Sequence, residues 1–185
     1  DVSLQMEYKL VFKNKEANFY QEKNDNLDKM SVNMANILSD VSKNIYQNLD
    51  RGIILNELNA DGMLIEKNEF VVLDSISSKW KVTTESKKIG EYICYKAKTT
   101  KKVNKGDRDV EETVIAWFCP SLAYCFGPSK YAGLPGLILE LQEKNITLSL
   151  KRLQLNTEEE IAIVIPTAKK IISRDEYYKI LNSRF

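Results

Sequence analysis

Apolar residues recur at every second position over most of this chain, the period of strands with one wet face. At the start, Met6, Tyr8, Leu10 and Phe12 fall on one side and Gln5, Glu7, Lys9 and Lys13 on the other. The polar stretch 14–26, with Phe19 and Tyr20 as its aromatics, reads as a turn and a weaker second strand. The spacing then changes. Met30, Met34, Ile37, Leu38, Val41, Ile45 and Leu49 recur at steps of three and four, the stripe of an amphipathic helix over about 28–49. Asn, Ser and Asp are frequent in that window and favour turns over helix interiors, so a mobile excursion is the competing expectation.

From Ile53 onward the period of two returns. Ile53 and Leu55, then Met63 and Ile65, flank Asp61-Gly62 and predict a hairpin there. Phe70 to Leu73, Trp80 to Thr84 and Glu91 to Thr99 predict further strands. The basic tract Lys101, Lys102, Lys105 and Arg108, with Gly106-Asp107 inside it, reads as a solvated hairpin tip. Val114 to Cys119 is apolar on both faces, as a central strand should be. Leu137 to Gln142 and Ile146 to Leu150 form the next pair, and the change of parity at Leu153 and Leu155 predicts a bulge near Lys151 and Arg152. Pro166 should stop the apolar run Ile161 to Ile165. Ser173 and Glu176 fit a capping box that opens a C-terminal helix over 173–183. Eight to ten strands in antiparallel succession, with one or two helices, define a mainly β chain: a curved antiparallel sheet or a partly open β-barrel, expected as a single domain over 1–185.

Composition mainly excludes. The chain has 185 residues, and 27 Lys+Arg against 26 Asp+Glu leave no basic footprint for nucleic acid. The absence of histidine removes Ser/His/Asp triads, Cys/His dyads and imidazole metal ligands. No run of some 18 apolar residues is present to cross a membrane as a helix. Of the three cysteines, Cys94 reads as a small buried hydrophobe, while Cys119 and Cys125 enclose five residues and read first as buried thiols, a disulfide between them being the alternative. Their spacing is a weak metal signal, and no cofactor motif accompanies it.

The segment Gly127 to Gly136 concentrates three of the seven glycines and two of the four prolines, so it is the place where the backbone needs special geometry. Leu134-Pro135-Gly136-Leu137 suits a type II turn, and Gly133 would admit another backbone closely. It is not a phosphate loop, because a strand and not a helix follows. Tyr124, Phe126 and Tyr131 surround it as an aromatic rim.

Gly133 to Ile138 spells GLPGLI, and the chain resembles the GLPGLI family of secreted or periplasmic proteins of Bacteroidota. Further matches are Trp80, the stretch Ile89-Gly90-Glu91-Tyr92-Ile93-Cys94-Tyr95-Lys96-Ala97, Ala116-Trp117-Phe118, and Gly127-Pro128 shortly before the hexapeptide. The family usually has an extended stretch before Gly-Pro, where this chain carries Cys119 to Cys125 with two extra thiols. The resemblance implies an exported envelope protein, its leader already removed, with a possible association with outer-membrane TonB-dependent transport.

Three function classes follow. The favoured one is a noncatalytic envelope binding or accessory module that meets an outer-membrane protein or an apolar ligand through Tyr124, Phe126, Gly127, Pro128, Tyr131, Gly133, Leu134, Pro135 and Gly136, with Trp80, Tyr92, Cys94 and Trp117 as the family-pattern residues. The alternative is soft-metal or redox handling by Cys94, Cys119 and Cys125. An enzyme would need a carboxylate pair that sequence spacing does not reveal.

Overall fold

The computed structural model describes residues 6–22, 44–58, 66, 68–76, 79–104, 109–144 and 146–184. The chain is mainly β, with eleven strands among these residues: β1 Tyr8–Lys13, β2 Glu16–Gln21, β3 Asn44–Asn48, β4 Ile53–Glu57, β5 Phe70–Ser75, β6 Lys81–Ile89, β7 Tyr92–Asn104, β8 Asp109–Cys119, β9 Leu137–Glu143, β10 Ile146–Ser149 and β11 Lys170–Ser173. One helix, α1, spans Arg174–Arg184. The chain divides into two compact units, Asp1–Ile76 with Ile161–Phe185, and Ser77–Glu160.

The first unit holds a sheet of order β1-β2-β3-β4-β5-β11. Its strands pair antiparallel except β11, which returns parallel to β5, in departure from the purely antiparallel succession expected. The end of the predicted helix is instead strand β3, paired with β2 and β4. Both its faces are buried: Ile45 and Gln47 point one way, Tyr46 and Asn48 the other. Its buried amides are not visible to an apolar pattern, so the apolar positions alone carry a helical spacing there. The rest of that window, and the hairpin turn at Asp61-Gly62, lie outside the described residues.

Side-chain amides replace the missing apolar contacts. Asn18 Nδ2 donates to Val164 O at 2.7 Å and its Oδ1 accepts the Val164 N–H at 2.7 Å, so one side chain satisfies both backbone groups of an incoming segment. That segment, the apolar run Ile161 to Ile165, forms no ladder; Ile163 and Ala168 pack on Tyr46, Leu55 and Val71. On the opposite face Tyr177, Ile180 and Leu181 of α1 cover Phe70, Val72 and Ile172. The cap reads as the sequence predicts, with Ser173 Oγ accepting the Glu176 N–H at 3.2 Å.

At the far end of α1, Arg184 donates to Glu69 at 2.6 Å and 3.2 Å. Arg184 and the Glu66 N–H hold the Glu69 carboxyl down to about 2, from an ordinary 4.5. A depressed carboxyl stabilises above its unfolded pKa and ceases to as pH falls through the folded one. Arg184→Met should therefore lower the urea midpoint of the first unit at neutral pH, and the gap to wild type should close between about pH 4.5 and about pH 2. Circular dichroism across that range is the check, and a gap unchanged at the acid end would contradict the pairing.

The second unit is a five-stranded antiparallel meander of order β10-β9-β8-β7-β6 with β8 at its centre, as the two-faced apolar run Val114 to Cys119 predicts. On one face Ala97, Val114, Ala116, Phe118, Ile138 and Leu141 form a core, joined by Tyr131 and Leu134 of the loop between β8 and β9. The expected bulge near Lys151 is absent from the sheet because β10 ends at Ser149. The register shifts instead at Trp117/Phe118 against β9 and between Val82 and Ser86 against β7.

Candidate functional site

The loop 120–136 is where the sequence places a binding surface, and its own backbone ties it to the sheet. Phe126 O accepts the Ile138 N–H at 3.0 Å, Leu122 O the Leu137 N–H at 2.9 Å, and Cys125 O the Gly133 N–H at 2.9 Å. These bonds turn Phe126, Tyr131 and Leu134 inward; Phe126 and Leu134 are each 1% exposed. Gly127 and Gly136 are buried too, Tyr124 and Pro128 are half-buried, and only Gly133 and Pro135 of the expected surface are exposed. An aromatic rim open to a ligand is thus corrected: the loop plugs one face of the sheet, because that is where its apolar side chains escape water.

The turn differs from the expectation as well. Gly136 N–H bonds to Leu134 O at 2.8 Å, two residues back, while Leu137 N–H goes to Leu122. The link is therefore a γ-turn around Pro135 and not a type II turn. Gly133 has φ +86°, and close approach to another backbone is seen at Gly127 and Gly136. A Cβ on Gly127 would stand 2.6 Å from Tyr131 O, and one on Gly136 2.2 Å from Cys119 O.

Of the family-pattern residues, Trp80 braces the plug, its Nε1 donating to Ala132 O at 3.1 Å and its ring meeting Tyr131 edge-on at 6.0 Å. Trp117 lies on the opposite face, under the ammonium of Lys87 at 4.4 Å, with Lys96 at 5.7 Å. Lys87 also donates to both oxygens of Glu140 at 2.8 Å, and Gln142 Nε2 reaches Glu140 at 2.9 Å. Lys87 and Glu140 escape sequence reasoning, since they meet only when β6 and β9 flank the β7–β8 hairpin. Tyr92 is half-buried at the start of β7, and burial, aided by Glu91, raises its hydroxyl above the usual range.

All three cysteines are thiols, so the pairing of Cys119 with Cys125 is not made. The Cys119 Sγ lies 3.0 Å from Ser121 Oγ, and the Cys94 thiol reaches Tyr92 O at 3.8 Å. Burial, then the facing Cys119, push the Cys94 thiol up to about 11. Among the described residues no group of three or more His, Cys, Asp or Glu side chains converges as a metal cage.

In the second unit the exposed large apolar side chains lie elsewhere, on the outer strand pair β6 and β7. Val82, Ile93 and Tyr95 are 53%, 60% and 40% exposed. Register places Val82 across from Ala97, and Ile93, Tyr95 and Ala97 alternate along β7, so the three form one stripe on one face. On the other face Lys81 stands directly across from Lys98, a like-charge pair that a sheet does not choose for stability. No described helix is long and apolar enough to cross a membrane.

The protein is thus a mainly β, two-sheet chain whose second unit carries a plugged meander. A family model described as a protein of unknown function (Porph_ging) matches residues 80–112 and 104–140, about a third of the chain and all of it within the second unit. No curated protein is matched by the sequence. A solved structure of PNGF-II in the C2 space group has a TM-score of 0.51, with 19% identity over 97% of this chain and 30% of that one. PNGF-II in the P21 space group gives 0.49, with 17% identity over 95% of this chain and 29% of that one. The C2 likeness is one of fold alone, and the chain spans about 30% of the PNGF-II chain.

Proposed function

We propose that this chain is a noncatalytic binding or accessory module of the cell envelope, and that it takes its partner along β6. The observation that carries this reading is the stripe Val82, Ile93 and Tyr95 beside an end strand whose other face sets Lys81 against Lys98. A strand added at such an edge would place alternate side chains on the two faces, apolar ones on the stripe and acidic ones by the lysines. The partner is thus an extended protein segment of alternating apolar and acidic residues, in keeping with the outer-membrane protein that the family resemblance implies. The noncatalytic part draws support from the acidic groups. Glu69 and Glu85 are held ionised by Arg184 and Lys96, the reverse of a carboxyl poised near neutrality to carry protons.

A photocrosslinking residue at Ile93 should trap one outer-membrane partner in intact envelopes, and the same residue at exposed Thr147 on β10 should trap none. Adding Val82→Glu to the Ile93 reporter should cut the adduct about tenfold, by setting a charge against the incoming apolar side chains. Equal trapping at both positions, or none at Ile93, would refute the site.

A further inference from the structure

The β7–β8 hairpin pairs Tyr95 with Phe118 and Lys96 with Trp117. One step further along the same register, Cys94 faces Cys119, and both thiols are 0% exposed. Directly opposed residues of antiparallel strands have Cα atoms about 4.5 or about 5.5 Å apart, and both separations fall inside the span a disulfide bridges. Opposed positions of a ladder share a face, so the two thiols lie on the same side of the sheet, and Cys119 acts electrostatically on Cys94. Cys125, which the spacing in sequence offers as the partner of Cys119, sits in the loop, half-buried, with its carbonyl accepting the Gly133 N–H.

We infer that Cys94 and Cys119 are a modification site, closing as a cross-strand disulfide sealed within the second unit and leaving Cys125 as the chain's one free thiol. The oxidant is a disulfide-bearing thiol carrier. A thiolate of the pair attacks it and forms a mixed disulfide, and the second cysteine displaces the carrier. One S–S bond breaks and one forms; the carrier accepts the electron pair and both protons and leaves as two thiols. Once the unit has folded both thiols are 0% exposed and out of the carrier's reach, and burial also keeps the Cys94 thiol protonated at neutral pH. The bond therefore forms while the hairpin is still open to the carrier, and burial then shields it from reductants. Its place gives it a task. Cys119 O accepts the Leu122 N–H at 3.2 Å and lies against Gly136, so the crosslink pins both roots of the plug to β7. This inference is independent of the partner surface on β6.

The test is refolding of the denatured, reduced chain with glutathione disulfide. The expected product is lighter by two hydrogens, has one alkylatable thiol after denaturation, and gives a proteolytic fragment joining Cys94 to Cys119. Cys125→Ser should keep the crosslink; Cys94→Ser and Cys119→Ser should each lose it. The oxidised chain should melt roughly 10 °C above the reduced one. Folded, it should be reduced by glutathione at least about 100-fold more slowly than when unfolded. A fragment joining Cys119 to Cys125, or three alkylatable thiols after refolding, overturns the site; equal reduction rates overturn the seal.

Discussion

Gly136→Ala is expected to cost the second unit on the order of 4 kcal/mol, from a backbone conformation that side chains avoid and from overlap with a neighbouring strand end. Gly136 has φ +153°, and a Cβ there would meet Cys119 O at 2.2 Å, Cys119 C at 2.6 Å and Pro120 Cα at 2.9 Å. All three atoms are backbone, so no rotamer change relieves the contact. The carbonyl of Cys119 is held in turn by the Leu122 N–H, and the neighbouring Leu137 N–H by Leu122 O, so displacement at one point spreads through the loop. A built-in comparison exists at Gly90, where φ is +57° but a Cβ would meet nothing within 4 Å. Gly90→Ala isolates the conformational penalty, about 1 kcal/mol. The chain's two tryptophans, Trp80 and Trp117, both lie in the second unit, so their fluorescence in urea reads that unit's unfolding. Equal shifts for the two variants would mean that the approach of Gly136 to Cys119 contributes nothing.

Much of the sheet was legible because period two is written where one face of a strand is wet, as in β1, and an unbroken apolar run where both faces are covered, as in β8; both appear where the pattern puts them. The pattern fails where polar side chains are buried. In β3, Gln47 and Asn48 occupy interior positions that an apolar stripe leaves blank, so Ile45 and Leu49 stand at the spacing of successive helical turns. It also fails for partners far apart in sequence, such as the parallel return of Lys170–Ser173 onto Phe70–Ser75. For the site, the Gly- and Pro-rich segment signalled special geometry correctly but not its direction, since composition does not say which way Phe126 and Leu134 face. The thiol pair was within reach. Counting outward from Gly106-Asp107, the twelfth residue on either arm is Cys94 on one and Cys119 on the other, the same register that the hairpin adopts.

The direction of the loop can be tested in solution with one pair of variants. Phe126 is 1% exposed, and truncation to Ala empties a site closed by the bond from its own carbonyl to Ile138, so the walls cannot easily collapse. Phe126→Ala should lower stability by about 3–5 kcal/mol. Pro135 is exposed at the tip of the γ-turn and packs no core, so Pro135→Ala should cost only about 0.5–1 kcal/mol, chiefly by freeing the unfolded chain. A loop whose aromatics served as a docking rim would give the opposite order, because removing an exposed ring leaves no cavity and frees no buried neighbour. Tryptophan fluorescence in urea ranks the two variants directly, since Trp80 bonds to Ala132 within the same loop. Trapping from Ile93 should survive Pro135→Ala unchanged, because the stripe on β6 and β7 is built from other residues. A stable Phe126→Ala protein that loses only its partner would return the function to the Gly127–Gly136 segment, whereas a destabilised one leaves that segment as the plug that holds β8 and β9 together.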